Sequence, residues 1–97
     1  MATYVILGNL TDQGIRNIKE SPQRVAKVRQ AVEAAGGKVL GYYATMGRYD
    51  FVMVSEGPSD EAALGLLLAA GSQGNVRTET LKAFPLEAFE QIIKRLP

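Results

Sequence analysis

The order in which strand-like and helix-like segments follow one another constrains the fold of this chain more than any other feature of the sequence. Runs of β-branched, aromatic and leucine residues predict four strands, at Tyr4–Gly8, Lys38–Thr45, Tyr49–Ser55 and Asn75–Phe84. Apolar residues spaced three and four apart predict helices that start at Ser21, at about residue 61 and at Leu86. Glycine and proline residues separate most of these segments, which supports their boundaries.

The elements therefore run strand, helix, strand, strand, helix, strand, with a further helix at the end. This order is typical of the ferredoxin-like βαββαβ plait, an α+β fold with a four-stranded antiparallel sheet and two helices on one face. A chain of 97 residues without a linker or a low-complexity segment has room for one such unit. We therefore predict a single domain over residues 1–97, with an extra C-terminal helix.

The ends and faces of the helices also follow from residue types. We expect Ser21 to cap the first long helix, because its hydroxyl can accept from a free amide and Pro22 is favoured next to it. Helical spacing predicts that Arg24 faces solvent, opposite the valine face of that helix. Ser59 or Asp60 is expected to cap the second long helix.

Both faces of the predicted sheet are apolar. Tyr4 and Ile6 alternate with Val5 and Leu7, and the third strand shows the same pattern, whereas a water-exposed face would carry polar residues. The two helices cover only one of these faces. We therefore expect a second copy of the chain to cover the other, as a homodimer or higher homo-oligomer with the sheets face to face.

Composition excludes several kinds of chemistry. The chain has no His and no Cys, so it contains no catalytic triad, thiolate nucleophile or cysteine zinc site. Eleven Lys and Arg against ten Asp and Glu leave a net charge of +1, so no strong field favours nucleic acid or a membrane surface. We expect no metal and no cofactor. The N-terminal apolar run is too short for a signal peptide, so we expect a cytoplasmic protein.

Three ordered motifs carry a family resemblance. Thr11–Ile15 follows the first strand and leads into Lys19–Pro22, Gly47–Asp50 opens the third strand, and Asn75–Thr80 begins the fourth. Together they resemble the GYD-domain proteins, a family of small bacterial proteins, over about residues 3–84. The resemblance implies a plait of the dimeric α/β-barrel type. It implies no particular activity.

The same motifs supply the candidate ligand-binding residues. If the sheet or the dimer barrel holds a small molecule, hydrogen-bonding side chains are needed on its walls, and we predict this role for a set of five: Tyr43, Tyr49, Asp50, Arg77 and Thr78. The alternative interpretation is structural. Gly47–Asp50 is then only a turn, and Arg77 and Glu79 form a solvated ion pair on one face of the fourth strand. In the functional interpretation, Arg77 could equally bridge to Asp50 or Asp12.

Three functional hypotheses stay open at this point. The preferred one is an oligomer that binds a small ligand. The second is a cofactor-free enzyme of the monooxygenase or isomerase type, with Asp50 or Glu79 as base and Tyr49 or Arg77 as the polarising group. The third is a structural or regulatory oligomer without a pocket.

Overall fold

The four strands and the three longer helices form in the order that the sequence predicts, and a short additional helix follows the first strand. The computed structural model describes all residues, 1–97. In chain order the elements are β1 (Ala2–Leu10), α1 (Asp12–Arg16), α2 (Ser21–Ala34), β2 (Lys38–Ala44), β3 (Phe51–Gly57), α3 (Asp60–Ser72), β4 (Val76–Ala83) and α4 (Leu86–Lys94), with a 3-10 turn at Ile18–Glu20 before α2.

The sheet has the strand order β2-β3-β1-β4, and every neighbouring pair is antiparallel. This arrangement confirms the predicted ferredoxin-like α+β fold. The central strands are β3 and β1, and β2 and β4 form the edges. A bulge between Val39 and Gly41 interrupts the pairing of β2 with β3 and reverses the alternation of side chains along β2.

The hydrophobic core lies between the sheet and the helices α2 and α3. Tyr4, Ile6 and Met53 from the sheet pack with Val32 of α2, and Ala63, Leu66 and Leu67 of α3 lie against the same cluster. The opposite sheet face carries Val5, Leu7, Val52 and Val54, which are only half-buried in the single chain. We call this second surface the open face.

The helix ends confirm one predicted cap and correct another. Ser59 caps α3, since its Oγ accepts a hydrogen bond from the amide of Ala62 at 3.2 Å. The prediction for Ser21 is wrong: the residue belongs to the first turn of α2, and the cap position is Glu20, which makes no side-chain capping bond. The Ser21 hydroxyl instead accepts from Nη2 of Arg24 at 3.0 Å.

The connection between β2 and β3 is longer than predicted. The strand expected from Tyr49 begins at Phe51, because Tyr49 and Asp50 belong to the loop. The Thr45 amide donates to the Asp50 carbonyl at 2.9 Å, and the Thr45 hydroxyl donates to the Tyr49 carbonyl at 2.6 Å. Gly47, with φ of 108°, supplies the left-handed residue that this loop needs.

The terminal helix α4 projects from the rest of the molecule. No other helix or strand packs closely along it, and its apolar side chains are largely exposed: Leu86, Phe89, Ile92 and Ile93. The radius of gyration is 14.7 Å, against about 12.5 Å for a compact domain of this length. The longest helix has 14 residues, and no helix is long and apolar enough to cross a membrane.

Candidate functional site

All three sequence motifs meet at one end of the sheet, where β1 ends and β3 and β4 begin. Oδ2 of Asp50 accepts a hydrogen bond from the amide of Leu10 at 2.9 Å, and Leu10 pairs with Val76 in the sheet. The hydroxyl of Tyr49 donates to Oε1 of Glu79 at 2.9 Å, so this ring reaches from the start of β3 past β1 to β4. We call this region, residues 9–14, 49–50 and 73–79, the motif end.

The first motif clamps helix α1 to the start of β4. The Thr11 amide donates to the Asn75 carbonyl at 3.0 Å, and the Thr11 hydroxyl donates to the Gly74 carbonyl at 2.6 Å. The same hydroxyl oxygen accepts from the Gly14 amide at 3.1 Å and so caps α1. Nε2 of Gln13 donates to Oδ1 of Asn75 at 3.0 Å. This motif therefore holds the segment after β1 against the segment that precedes β4.

Tyr49 and Asp50 use their polar atoms within the chain. The hydrogen bond to Glu79 is the main reason that the pKa of Tyr49 is raised above its ordinary value. Asp50 is exposed, and its carboxylate holds the end of β1. In this arrangement Tyr49 acts as a donor and Asp50 as an acceptor to protein groups.

The other three predicted site residues lie on two different faces of the sheet. By register, Tyr43 stands beside Val52 on the open face, and Arg77 stands on the same face beside Asn9. Arg77 forms no ion pair with Asp50, Asp12 or Glu79, so the predicted pairings of this arginine are wrong. Thr78 faces the helices instead and lines a cavity there. The five residues therefore do not share one pocket, and their role as a set stays a prediction.

A cavity of about 220 Å³ lies between the sheet and the helices α2 and α3. Its walls are mostly apolar. The sheet contributes Ile6, Phe51 and Met53, and the helices contribute Val28, Leu66 and Leu67. Phe51 lies directly beneath Gly8, since a Cβ on this glycine would come within 2.0 Å of the ring. We call this cavity the helix groove.

Arg24 and Tyr42 are two polar residues of the helix groove that the sequence analysis did not predict as site residues. The Tyr42 ring stacks on Phe51 with centroids 5.3 Å apart. Burial raises the pKa of Tyr42, and the nearby positive charge of Arg24 acts in the opposite direction. The prediction that Arg24 faces solvent is wrong, because only 20% of its side chain is exposed. Its guanidinium folds back to donate to the Asn17 carbonyl at 3.2 Å and to Ser21.

A second polar network lies at the opposite end of the sheet. The Tyr4 hydroxyl donates to Oδ1 of Asp60 at 2.6 Å, and Nζ of Lys82 lies 3.1 Å from Oδ2 of the same carboxylate. The hydrogen bond to Asp60 raises the pKa of Tyr4 to about 12, and the bonds from Tyr4 and Lys82 lower the pKa of Asp60. This network ties β1, α3 and β4 together. No group of three acidic side chains lies close enough to hold a metal ion.

The family follows from comparison with known proteins. The GYD domain model matches residues 4–93, which is nearly the whole chain. The chain belongs to the GYD domain family. The match confirms the resemblance carried by the three motifs, and it extends past Phe84 through most of α4. Helix α4 is therefore part of the GYD domain.

Two proteins from Thermus thermophilus are similar to this chain over most of their length. A protein named "Glutamine synthetase and cystathionine beta-lyase binding protein" is 37% identical over 87 residues, which cover 89% of this chain and 92% of that protein. The crystal structure of TTHA0845 is similar with a TM-score of 0.55 and 26% identity, covering 87% of this chain and 94% of that one. The matched part of this chain therefore spans nearly the full length of both similar proteins.

Proposed function

We propose that this single-domain GYD protein is a non-catalytic binding protein that acts as a homodimer in the cytoplasm and docks on a metabolic enzyme. The observation that carries the proposal is the Thermus relative named as a binding protein for glutamine synthetase and cystathionine beta-lyase, with 37% identity over 92% of its length. We favour binding over cofactor-free catalysis. The reason is that Asp50 and Tyr49, the base and donor of that hypothesis, are bonded to the Leu10 amide and to Glu79.

The open face supports the homodimer. Val5, Leu7, Val52 and Val54 form its apolar centre, and Leu81 of β4 is 47% exposed beside them. An apolar surface that spans neighbouring strands and that no helix covers is typical of an interaction surface. A second copy of the same sheet would cover it with side chains of matching character.

The charges at the two ends of the open face support a copy of this chain as the occupant. Lys38 and Glu56 are neighbours across β2 and β3 at one end. Arg77 and Glu79 lie on β4 at the other end. Because each end carries both signs, a two-fold related copy can place unlike charges opposite one another.

Helix α4 is the surface that we assign to the enzyme partner. Phe89 is 53% exposed and Ile93 is 48% exposed on one side of a strongly amphipathic helix. The helix belongs to the matched domain and packs closely on no other element, so its apolar side is available to a partner. An amphipathic helix with anchors three and four residues apart fits an apolar groove on a partner.

The test uses purified glutamine synthetase and cystathionine beta-lyase from the same organism as the chain. Biolayer interferometry with the immobilised protein should give saturable binding of at least one of the two enzymes. Phe89→Glu should weaken that binding at least tenfold, because a carboxylate replaces an apolar anchor. Glu87→Lys, which changes charge on the same helix, is the control. Equal binding by wild type and Phe89→Glu would remove α4 from the proposal, and no binding of either enzyme would overturn the proposed partner.

A second candidate function is the binding of a small ligand in the helix groove. The supporting observation is the apolar cavity of about 220 Å³ beside the buried core residues Ile6 and Met53. A ligand there would lie between the sheet and its helices and would contact Thr78 of the predicted set. Thermal-shift measurements on the purified protein with small apolar compounds test it, since a bound ligand stabilises the folded state.

A further inference from the structure

The Arg24 side chain is mostly covered, and its guanidinium has little anionic compensation. Four-fifths of the side chain is covered, and its hydrogen bonds go to neutral oxygens of Asn17 and Ser21. The nearest carboxylate is that of Glu20, at 3.8 Å, and 67% of that side chain is exposed. A charge that has lost part of its hydration is stabilised by a close counter-ion, because desolvation of a charge is costly. Arg24 therefore has capacity for a further anionic partner.

The surroundings of Arg24 limit where that partner can lie. The residue lines the helix groove together with Tyr42, and the Arg24 charge acts on the Tyr42 hydroxyl. These two groups come from α2 and β2, which pack together along that side of the groove. Between them they offer guanidinium and phenol donors to an oxygen anion.

The remainder of the groove is suited to an uncharged, apolar body. Val28, Phe51 and Leu66 line its interior. Glu56 is the one acidic residue that lines the groove. It pairs with Thr3, at the end of β1 away from the motif end, and this register places its side chain on the open face. Lys27 of α2 is the other basic residue that lines the groove, and no carboxylate on the sheet lies near Arg24, so the charge within the groove is positive.

We propose that the helix groove binds a small amphipathic monocarboxylate, with the carboxylate on Arg24 and Tyr42 and the apolar body against Phe51, Val28 and Leu66. The inference rests on the second candidate function above and assigns its ligand class. The volume of about 220 Å³ sets the size of the body. A cavity of about 150 Å³ holds benzene, so a phenyl ring with a short acidic chain fits.

The test titrates 3-phenylpropanoate into the ¹⁵N-labelled protein and follows amide and Arg Nε–H resonances by NMR. Saturable shifts should appear at Val28, Leu66 and the Arg24 side chain. The uncharged analogue 3-phenylpropanamide should bind at least tenfold more weakly, because it cannot form a charge-assisted bond. Arg24→Gln should weaken the carboxylate to a similar extent. Arg29→Gln is the matched control, since Arg29 is an exposed arginine on the same helix.

The possible outcomes distinguish a wrong ligand class from the absence of any ligand site in the groove. Equal affinity for the acid and the amide, or full affinity in Arg24→Gln, would overturn the carboxylate assignment and leave a groove that binds apolar molecules. Absence of binding by both probes would overturn the carboxylate assignment and the small-ligand function together. The thermal unfolding midpoint of Arg24→Gln, measured alongside, shows whether the variant is folded, and Tyr42→Phe provides a second variant with an intact apolar wall.

Discussion

Gly14, at the motif end, has no space for an additional atom. Gly14 is buried in α1, and a Cβ at this position would lie 2.1 Å from the carbonyl oxygen of Asn75. Because that oxygen belongs to the backbone, the contact cannot be relieved by a side-chain rotation. We expect Gly14→Ala to reduce the free energy of unfolding by about 1–3 kcal/mol, measured by urea denaturation.

A second glycine provides the matched control, because its substitution by alanine should change the free energy of unfolding in the opposite direction. Gly65 lies in the middle of α3, and a Cβ there meets nothing within 4 Å. Gly65→Ala should therefore stabilise the protein by about 0.5–1 kcal/mol through its higher helix propensity. Destabilisation by both substitutions to the same extent would contradict the packing of Gly14 on Asn75.

The Tyr4–Asp60–Lys82 network predicts a distinctive pH dependence of stability. The folded pKa of Tyr4 is about 12, against an ordinary value of 10.0, so its contribution is complete below pH 10 and is lost as the pH rises towards 12. The folded pKa of Asp60 is lowered from 3.8, so its contribution is present above that pH and is lost as the pH falls below it. Tyr4→Phe removes the hydrogen bond behind both shifts.

Thermal unfolding across pH checks this expectation. The wild type should be more stable than Tyr4→Phe at neutral pH, and the difference should shrink above pH 10 and in acid below the ordinary pKa of Asp60, 3.8. A difference that stays constant from acid to alkaline pH would show that Tyr4 contributes through packing alone.

The groove residues show what sequence patterns cannot specify. Alternation along β2, counted from the buried Val39, places Tyr43 on the helix side, but the bulge after Val39 reverses the alternation and turns Tyr42 inward. Arg24 lies where helical spacing predicts solvent, and its long chain folds back to Asn17. Both outcomes depend on neighbouring backbone geometry, which local residue types do not determine.

The order of the helices and strands is the level at which the sequence is most informative. Apolar periodicity and the glycine and proline boundaries predict every strand and each long helix, because these signals are local. The loop of Thr45–Asp50 is less predictable. Tyr49 favours a strand by residue type, yet two hydrogen bonds from Thr45 hold it in the turn.

Helix α4 should contribute to partner binding and little to the stability of the domain. Phe89→Ser exposes no core, because Phe89 is already 53% exposed and α4 packs closely on no other element. We expect the free energy of unfolding to change by no more than about 0.5 kcal/mol in chemical denaturation. Binding of the partner enzyme should fall at the same time. A large loss of stability would mean that α4 packs on the domain in solution.

The homodimer is a prediction about the whole molecule. Leu81→Lys places a charge on the open face at a residue that is 47% exposed in the single chain, so the fold should tolerate it while the dimer dissociates. Leu64→Lys is the matched control, because Leu64 is 55% exposed on α3, away from that face. Light scattering after size exclusion should give a monomer for Leu81→Lys and a dimer for Leu64→Lys. A wild-type monomer, or dissociation by both variants, would contradict the open-face interface.

Sedimentation velocity of the fluorescently labelled protein, alone and mixed with purified glutamine synthetase or cystathionine beta-lyase, tests the central claim most directly. The protein alone should sediment as a species of about twice the 10.5 kDa of the chain. In the mixture the label should move with one of the enzymes. A label that sediments as a 10.5 kDa species in all three samples would contradict both the dimer and the binding function.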